Sequence, residues 1–187
     1  MQPMTRSQIL LVLGVTAIVL LGIAKTWTYF GEVQILRVFW NPVHALWGVG
    51  LAIAITIAST IIYALWEDYR KSADYYLDLI LRPLALPDLI WIGLLPGLSE
   101  ELLFRGVMLP QFGLDWVGVV LSSFCFGAMH LSSLKQWSYV MWATFIGGVF
   151  AWSALITGNL LVPIVAHVFT NLISAIVWKI RQPSLNV

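Results

Sequence analysis

The chain has 187 residues, of which 60% are hydrophobic and only 10% are charged. A soluble domain carries roughly 25% charged residues, so this composition indicates an integral membrane protein and excludes a separate soluble domain. The formal net charge of +1 gives no electrostatic reason to expect nucleic acid as a partner. The single cysteine, Cys125, cannot form an internal disulfide, and its apolar surroundings favour a buried thiol over a nucleophile.

The hydropathy pattern predicts an all-α membrane protein, a single domain over residues 1–187 with a bundle of about six spanning helices. Each span needs about 20 mostly apolar residues, and six segments qualify: 8–24, 43–66, 89–112, 114–131, 136–157 and 160–180. Very short connections after the third, fourth and fifth segments make those helices antiparallel neighbours. The first segment could be a signal peptide cleaved at Gly22-Ile-Ala24, but its length favours a retained span.

Two connections are longer than the others. Residues 25–42 are rich in Trp, Tyr and Phe, which favours an interfacial helix or loop at headgroup level. Residues 67–88 are strongly polar and contain Pro83 and Pro87, which favours a solvated loop over a substrate-docking element. With six spans, seven Lys and Arg residues fall on one side of the membrane and two on the other. This asymmetry predicts that both termini are cytoplasmic.

The third segment contains three charged residues, Glu100, Glu101 and Arg105. A charged side chain at the bilayer centre costs roughly 2.5–3.5 kcal/mol, so such residues indicate function. Glu101 and Arg105 are spaced i, i+4 and can pair on one helix face. Glu100 lies about 100° round the helix, without that partner, and is suited to act as a general base. A structural Glu-Arg pair, with Glu100 hydrogen-bonded to a neighbour, is the alternative.

The fourth segment carries a histidine, His130, one helical turn after Phe126. Gly127 and Ala128 between them allow another helix to approach closely. A lone histidine in such a segment is more often a core residue with satisfied hydrogen bonds than a functional one. Its interpretation therefore depends on the polar residues of the other spans.

The sixth segment carries His167 and Asn171 at i, i+4, so two polar side chains share one face of an apolar helix. Such a face points inward, towards other polar groups. The third histidine, His44, lies at the start of the second segment and is interpreted as interfacial, with no role assigned.

Together these segments supply a base, two imidazoles and an amide, from Glu100, His130, His167 and Asn171. This set suits water-mediated acyl transfer, in which a water is activated and an oxyanion is stabilised. No serine lies in a nucleophile-elbow sequence, and no H-E-x-x-H occurs, which argues against a zincin. Two His and one Glu could still hold Zn²⁺, so a metal-bound water and a carboxylate-activated water both stay open.

Three motifs in residues 89–178 resemble those of the CAAX protease and bacteriocin-processing family, also called Abi or CPBP. They are Glu100-Glu101-x-x-x-Arg105, Phe126-x-x-x-His130 and His167-x-x-x-Asn171, in this order on three membrane segments. The family includes the Ras-converting endopeptidase that trims prenylated CAAX proteins. The resemblance implies an intramembrane endopeptidase, with residues 89–178 as its catalytic core and a membrane-embedded or membrane-anchored protein or peptide as its substrate.

The resemblance also implies a role for each motif residue. Glu100 would activate the attacking water with help from His130, and His167 with Asn171 would position that water or stabilise the oxyanion. Glu101 and Arg105 would be mainly structural. The family is labelled a metalloprotease family, and a metal-free glutamate mechanism is also proposed for it. The cofactor is therefore either Zn²⁺, held by Glu100, His130 and His167, or none.

Two other classes of protein compete with the protease hypothesis. A non-proteolytic scaffold, or an immunity or assembly factor, would keep the fold and use the polar core for stability or partner binding. A transporter or proton relay would also place carboxylates and histidines inside the membrane. The chain is short for a transporter and shows no paired repeats.

Overall fold

The computed structural model describes residues 4–181, and this part of the chain is helical, without a β-strand. The helices are α1 (Arg6–Gly31), α2 (Pro42–Leu65), α3 (Glu67–Leu81), α4 (Leu89–Glu101), α5 (Leu109–Phe112), α6 (Trp116–Met129), α7 (Trp137–Thr157) and α8 (Leu161–Arg181). A π-helix, Leu102–Met108, joins α4 to α5, and single 3₁₀ turns precede α4 and α7. The prediction of an all-α protein is confirmed.

Each of the six predicted segments is helical in the structure, but not all are long enough to cross a membrane alone. By length and composition, four helices qualify: α1, α2, α7 with its preceding 3₁₀ turn, and α8. A fifth span is counted if α3 and Leu86–Phe112 form one broken span. Helix α6 has only 14 residues, fewer than the roughly 17 a span requires. The number of six spans stays a prediction.

The connection 67–88 is mainly a helix, so the interpretation as a solvated loop was wrong. Its polar residues lie on one face, where Lys71 and Glu67 form an exposed ion pair of 2.8 Å. The opposite face buries Tyr69, Ala73 and Leu81. Pro83 and Pro87 at the end of this connection were predicted to break the helix. The prediction is confirmed, because α3 ends at Leu81 and the chain then bends by 109° into the next helical segment.

The aromatic connection 25–42 is part helix and part extended chain. Helix α1 continues to Gly31, and the chain from there to α2 is non-helical. This stretch is tied to the bundle by main-chain bonds, from Leu36 N to Gly106 O at 3.0 Å and from Leu160 N to Arg37 O at 3.1 Å. Its predicted position at the membrane interface stays a prediction.

The π-helix between α4 and α5 has a cause in the sequence. Pro110 has no main-chain N–H, so it cannot donate to the carbonyl of Gly106 four residues earlier. The wider turn is closed instead by Leu109 N, which donates to Phe104 O. The freed Gly106 carbonyl accepts the bond from Leu36. π-Helical turns inside α-helices are frequent at functional sites, and this one follows directly after Glu101.

Both ends of the described chain lie at the end of the bundle where α4 begins. Arg6, at the start of α1, forms a two-point ion pair with Asp88 just before α4, at 2.7 Å. Lys179, near the end of α8, donates to the main-chain oxygen of Arg82 at 3.2 Å. The two ends are therefore on one side, and the cytoplasmic identity of that side stays a prediction.

Glycines set the closest helix contacts. A Cβ at Gly93 would lie 2.8 Å from Val168 O, and one at Gly97 would lie 2.5 Å from a Val168 methyl group. The pair forms a G-x-x-x-G motif, which lets helix backbones approach closely in membranes, and here it joins α4 to α8. The close approach predicted at Gly127 is confirmed, because a Cβ there would lie 1.9 Å from Thr144 Oγ1 of α7.

Replacing Gly93 with Ala is expected to lower stability by about 1–3 kcal/mol, because the added methyl group meets backbone of α8 and forces α4 away. Chemical unfolding in detergent micelles measures the loss. Gly14→Ala is the matched control, since a Cβ there has no neighbour within 4 Å and alanine is the better helix former. Equal unfolding midpoints for the two variants would contradict the close packing.

Candidate active site

One cavity, of about 350 Å³, is lined by all four residues predicted to be catalytic. Glu100 comes from α4, His130 from the end of α6, and His167 and Asn171 from α8. Aromatic side chains complete the walls, among them Phe126, Phe150, Tyr76 and Tyr139. A larger groove, of about 740 Å³, is lined mostly by apolar residues and by none of the predicted site residues. Of these two cavities, only the smaller one is lined by the predicted site residues.

Glu100 is the carboxylate without a partner in this cavity. The residue is only 7% exposed, and its Oε2 atom is buried and accepts no hydrogen bond from any residue of the described range. A buried charge is normally paired or hydrogen-bonded because desolvation is costly. No residue among 4–181 donates to this carboxylate, so the part of Glu100 that lines the cavity can meet a water molecule, as a general base requires.

His130 owes its orientation to the way α6 ends. Its main-chain N–H donates to Gly127 O at 2.9 Å, a tighter turn than in an α-helix, and this frees the carbonyl of Phe126. The imidazole Nδ1 lies 2.8 Å from that carbonyl oxygen. A carbonyl only accepts, so Nδ1 carries the hydrogen, and the lone pair of Nε2 is left available to a ligand or a proton.

His167 is held by Glu101. Its Nδ1 lies 2.8 Å from Glu101 Oε1, and its ring stacks on Phe150 with ring centroids 5.1 Å apart. A neutral imidazole therefore donates from Nδ1 to the carboxylate and keeps Nε2 as an acceptor.

The predicted Glu101–Arg105 pair is present and fully buried. Arg105 Nη1 lies 2.9 Å from Glu101 Oε1, and Nη2 donates to Gly147 O at 2.9 Å. The guanidinium also lies 4.3 Å from the centroid of the Phe126 ring. One oxygen of Glu101 thus accepts from both Arg105 and His167. The carboxylate therefore links Arg105 to His167 in the cavity wall.

Asn171 is held by a main-chain carbonyl oxygen that a proline leaves without a donor. Pro96 lies inside α4 and has no N–H for the carbonyl of Ile92, four residues earlier. The side-chain amide of Asn171 donates to this free carbonyl at 3.4 Å. An amide has two N–H hydrogens, so the second stays available to a bound group.

The residues named for a metal have suitable chemistry but are not grouped as a metal site. Two His and one Glu match a Zn²⁺ donor set with an open position, and both histidines keep a free Nε2. Within residues 4–181, however, no three His, Cys, Asp or Glu side chains come together closely enough to hold one ion.

Three tyrosines of the cavity wall, Tyr69, Tyr76 and Tyr139, were not predicted from the sequence, and the ring centroids of the last two are 4.6 Å apart. None belongs to a recognisable local motif, and Tyr69 and Tyr76 lie in the segment interpreted as a loop. His44 lies outside the cavity, and the side-chain amide of Asn159 donates a hydrogen bond to its Nδ1 at 2.9 Å.

Comparisons with known proteins match the part of the chain that contains the predicted site residues. Residues 82–173, about half of the chain, match the family model described as type II CAAX prenyl endopeptidase Rce1-like. The uncharacterized protein YpbD of Bacillus subtilis (strain 168) is 27% identical over 157 residues, which cover 82% of this chain and 73% of that relative. No solved structure shows a significant match. Through residues 82–173, the chain belongs to the Rce1-like family of CAAX-type intramembrane proteases and is an integral membrane protein.

Proposed function

We propose that this protein is an endopeptidase that hydrolyses a peptide bond of a membrane-associated protein or peptide, using a water molecule activated by Glu100. The observation that carries the proposal is the carboxylate of Glu100, which has no hydrogen-bond partner among the described residues and lines a cavity together with two histidines and an asparagine. The Rce1-like match supports peptide-bond hydrolysis as the reaction class.

In the first step, Glu100 takes one proton from the water as the water oxygen attacks the scissile carbonyl carbon. The Nε2 lone pair of His130 accepts the other hydrogen of the water and so orients it. The C–N bond of the tetrahedral intermediate then breaks, and Glu100 returns its proton to the leaving amine. Glu100 is thus unchanged at the end of a cycle that consumes one water.

The negative charge on the tetrahedral intermediate needs donors. Asn171 supplies one, because only one of its amide hydrogens is used by Ile92 O. His167, held through Nδ1 by Glu101, positions the attacking water with the lone pair of Nε2. These roles assign binding and charge stabilisation to α8 and proton transfer to α4 and α6.

The substrate class follows from the family and from the position of the cavity among apolar helices. We propose a membrane-anchored tail, either prenylated at a cysteine or held by its own apolar segment, such as a leader peptide. For Zn²⁺ to supply the activated water instead, Glu100, His130 and His167 would have to move together to hold it. Activity that survives treatment with 1,10-phenanthroline supports the glutamate mechanism, whereas loss that Zn²⁺ restores supports the metal mechanism.

The three histidines allow a matched test. The protein is reconstituted in liposomes with prenylated CAAX peptides, unprenylated tails and leader peptides, and peptide release is followed by mass spectrometry. His130→Gln and His167→Gln are each expected to lower the rate by about 10²- to 10⁴-fold. His44→Gln, outside the cavity, is expected to retain it. Release at the wild-type rate in all three variants would contradict the assignment of the two cavity histidines, whereas no release even from the wild type would favour a non-proteolytic scaffold.

A further inference from the structure

The segment before the family-matched residues contributes directly to the site. Helix α3 lines the cavity with Tyr69, Ala73, Tyr76, Leu77, Ile80 and Leu81. All six precede residue 82, where the match to the Rce1-like family begins. The family match therefore does not cover this contact of α3 with the site, which is visible only in the structure.

Tyr76 makes the most specific of these contacts. Its hydroxyl donates to the main-chain oxygen of His130 at 2.7 Å. The hydroxyl oxygen of Tyr76 accepts from Ser132 N at 3.2 Å and lies 2.8 Å from Ser132 Oγ. Since the tyrosine hydrogen is used by His130, the serine hydroxyl is the donor in the last bond. One side chain thus holds the main chain on both sides of Leu131.

This stretch needs an external anchor because α6 ends there. The main chain of His130 has left the helix, with φ −86° and ψ 3°, and the last carbonyls of a helix have no partner within it. The imidazole is fixed to Phe126 O inside α6, but among residues 4–181 only the Tyr76 hydroxyl donates to the main-chain oxygen of His130. Loss of the hydroxyl would leave that oxygen unpaired and let the turn move.

We propose that Tyr76 is a positioning residue of the active site, holding the main chain at His130 so that the imidazole keeps one place in the cavity. The hydroxyl does not act on substrate itself, because its three hydrogen bonds occupy it. Helix α3 thereby becomes part of the catalytic unit. The activity test of this inference rests on the proposed peptidase function.

The test variant is Tyr76→Phe, which keeps the ring against Tyr139 and removes only the hydroxyl. Its kcat is expected to fall about 10- to 100-fold, as for a small displacement of a catalytic group, with KM within about twofold. In a His130→Gln background, the same change is expected to have no further effect, since Tyr76 acts through His130. Tyr75→Phe is the matched control, because the adjacent Tyr75 is exposed.

A second readout does not depend on activity. The ¹⁵N spectrum of histidine-labelled protein is expected to show His130 as a single Nδ1–H tautomer in the wild type and as more than one species in Tyr76→Phe. A wild type that cleaves no substrate would refute the proposed function and leave this readout to decide the inference. The inference is overturned if Tyr76→Phe has wild-type kcat or a wild-type His130 spectrum, or if its effect adds fully to that of His130→Gln.

Discussion

Replacing Glu100 with Gln is expected to lower peptide-bond hydrolysis by about 10³-fold or more, while the protein stays at least as stable as the wild type. The amide has the shape of the carboxylate and fits the same place at the end of α4. It cannot take a proton from water at neutral pH, so the attacking water loses its base.

The expected gain in stability has a separate cause. Glu100 Oε2 is buried and has no protein partner among the described residues, and holding a charge there is costly. A neutral amide lowers that cost. Loss of activity combined with unchanged or greater stability is typical of a residue kept for its chemistry, and a structural glutamate would show the opposite.

The measurement pairs initial rates of peptide release with the chemical unfolding midpoint of the same preparation. Glu67→Gln is the control, because Glu67 is exposed and pairs only with Lys71; its rate and midpoint should match the wild type. If Glu100→Gln cleaved substrate at the wild-type rate while remaining folded, Glu100 would not be the base.

Local spacing was sufficient to predict the six apolar helical segments and one of the site's contacts. The apolar runs gave the six helical segments, and the i, i+4 spacing gave the pair of Glu101 with Arg105, which forms at 2.9 Å even though a π-helix follows Glu101. Both follow from interactions within one turn or one helix. The same spacing left Glu100 without a partner on its own helix.

Apart from the bond of His130 to Phe126 O, the remaining site contacts join distant parts of the chain, so the sequence did not reveal them. The bond between His167 and Glu101 links two helices 66 residues apart in sequence. Tyr76 was missed because a high density of polar residues was taken to mean a loop. In α3 those residues occupy one face of an amphipathic helix. Pro96 was the one overlooked local signal, since a proline inside a helix always leaves a carbonyl free four residues earlier.

The second large effect is expected at Arg105, whose replacement by Met should reduce stability by about 3–5 kcal/mol. Met fills similar space against Phe126 and Gly147, so the loss comes mainly from charge. Glu101 would lose its charged partner at a site with no exposed surface, and only His167 would remain as a partner. Gly147 O would also lose its donor. The variant should therefore express poorly and unfold early.

A second change should repair most of this loss. In Arg105→Met with Glu101→Gln, no uncompensated charge is buried, and the amide oxygen still accepts from His167. Replacing both partners of a buried ion pair is often close to neutral, so unfolding midpoints of the two single variants and the double variant should show strong coupling. Arg82→Met is the control, because its pair with Asp78 is largely exposed and such pairs contribute less than about 1 kcal/mol. A loss at Arg105 no larger than that at Arg82 would show that the buried pair does not stabilise the fold, and Glu101 would then be held for the sake of His167 alone.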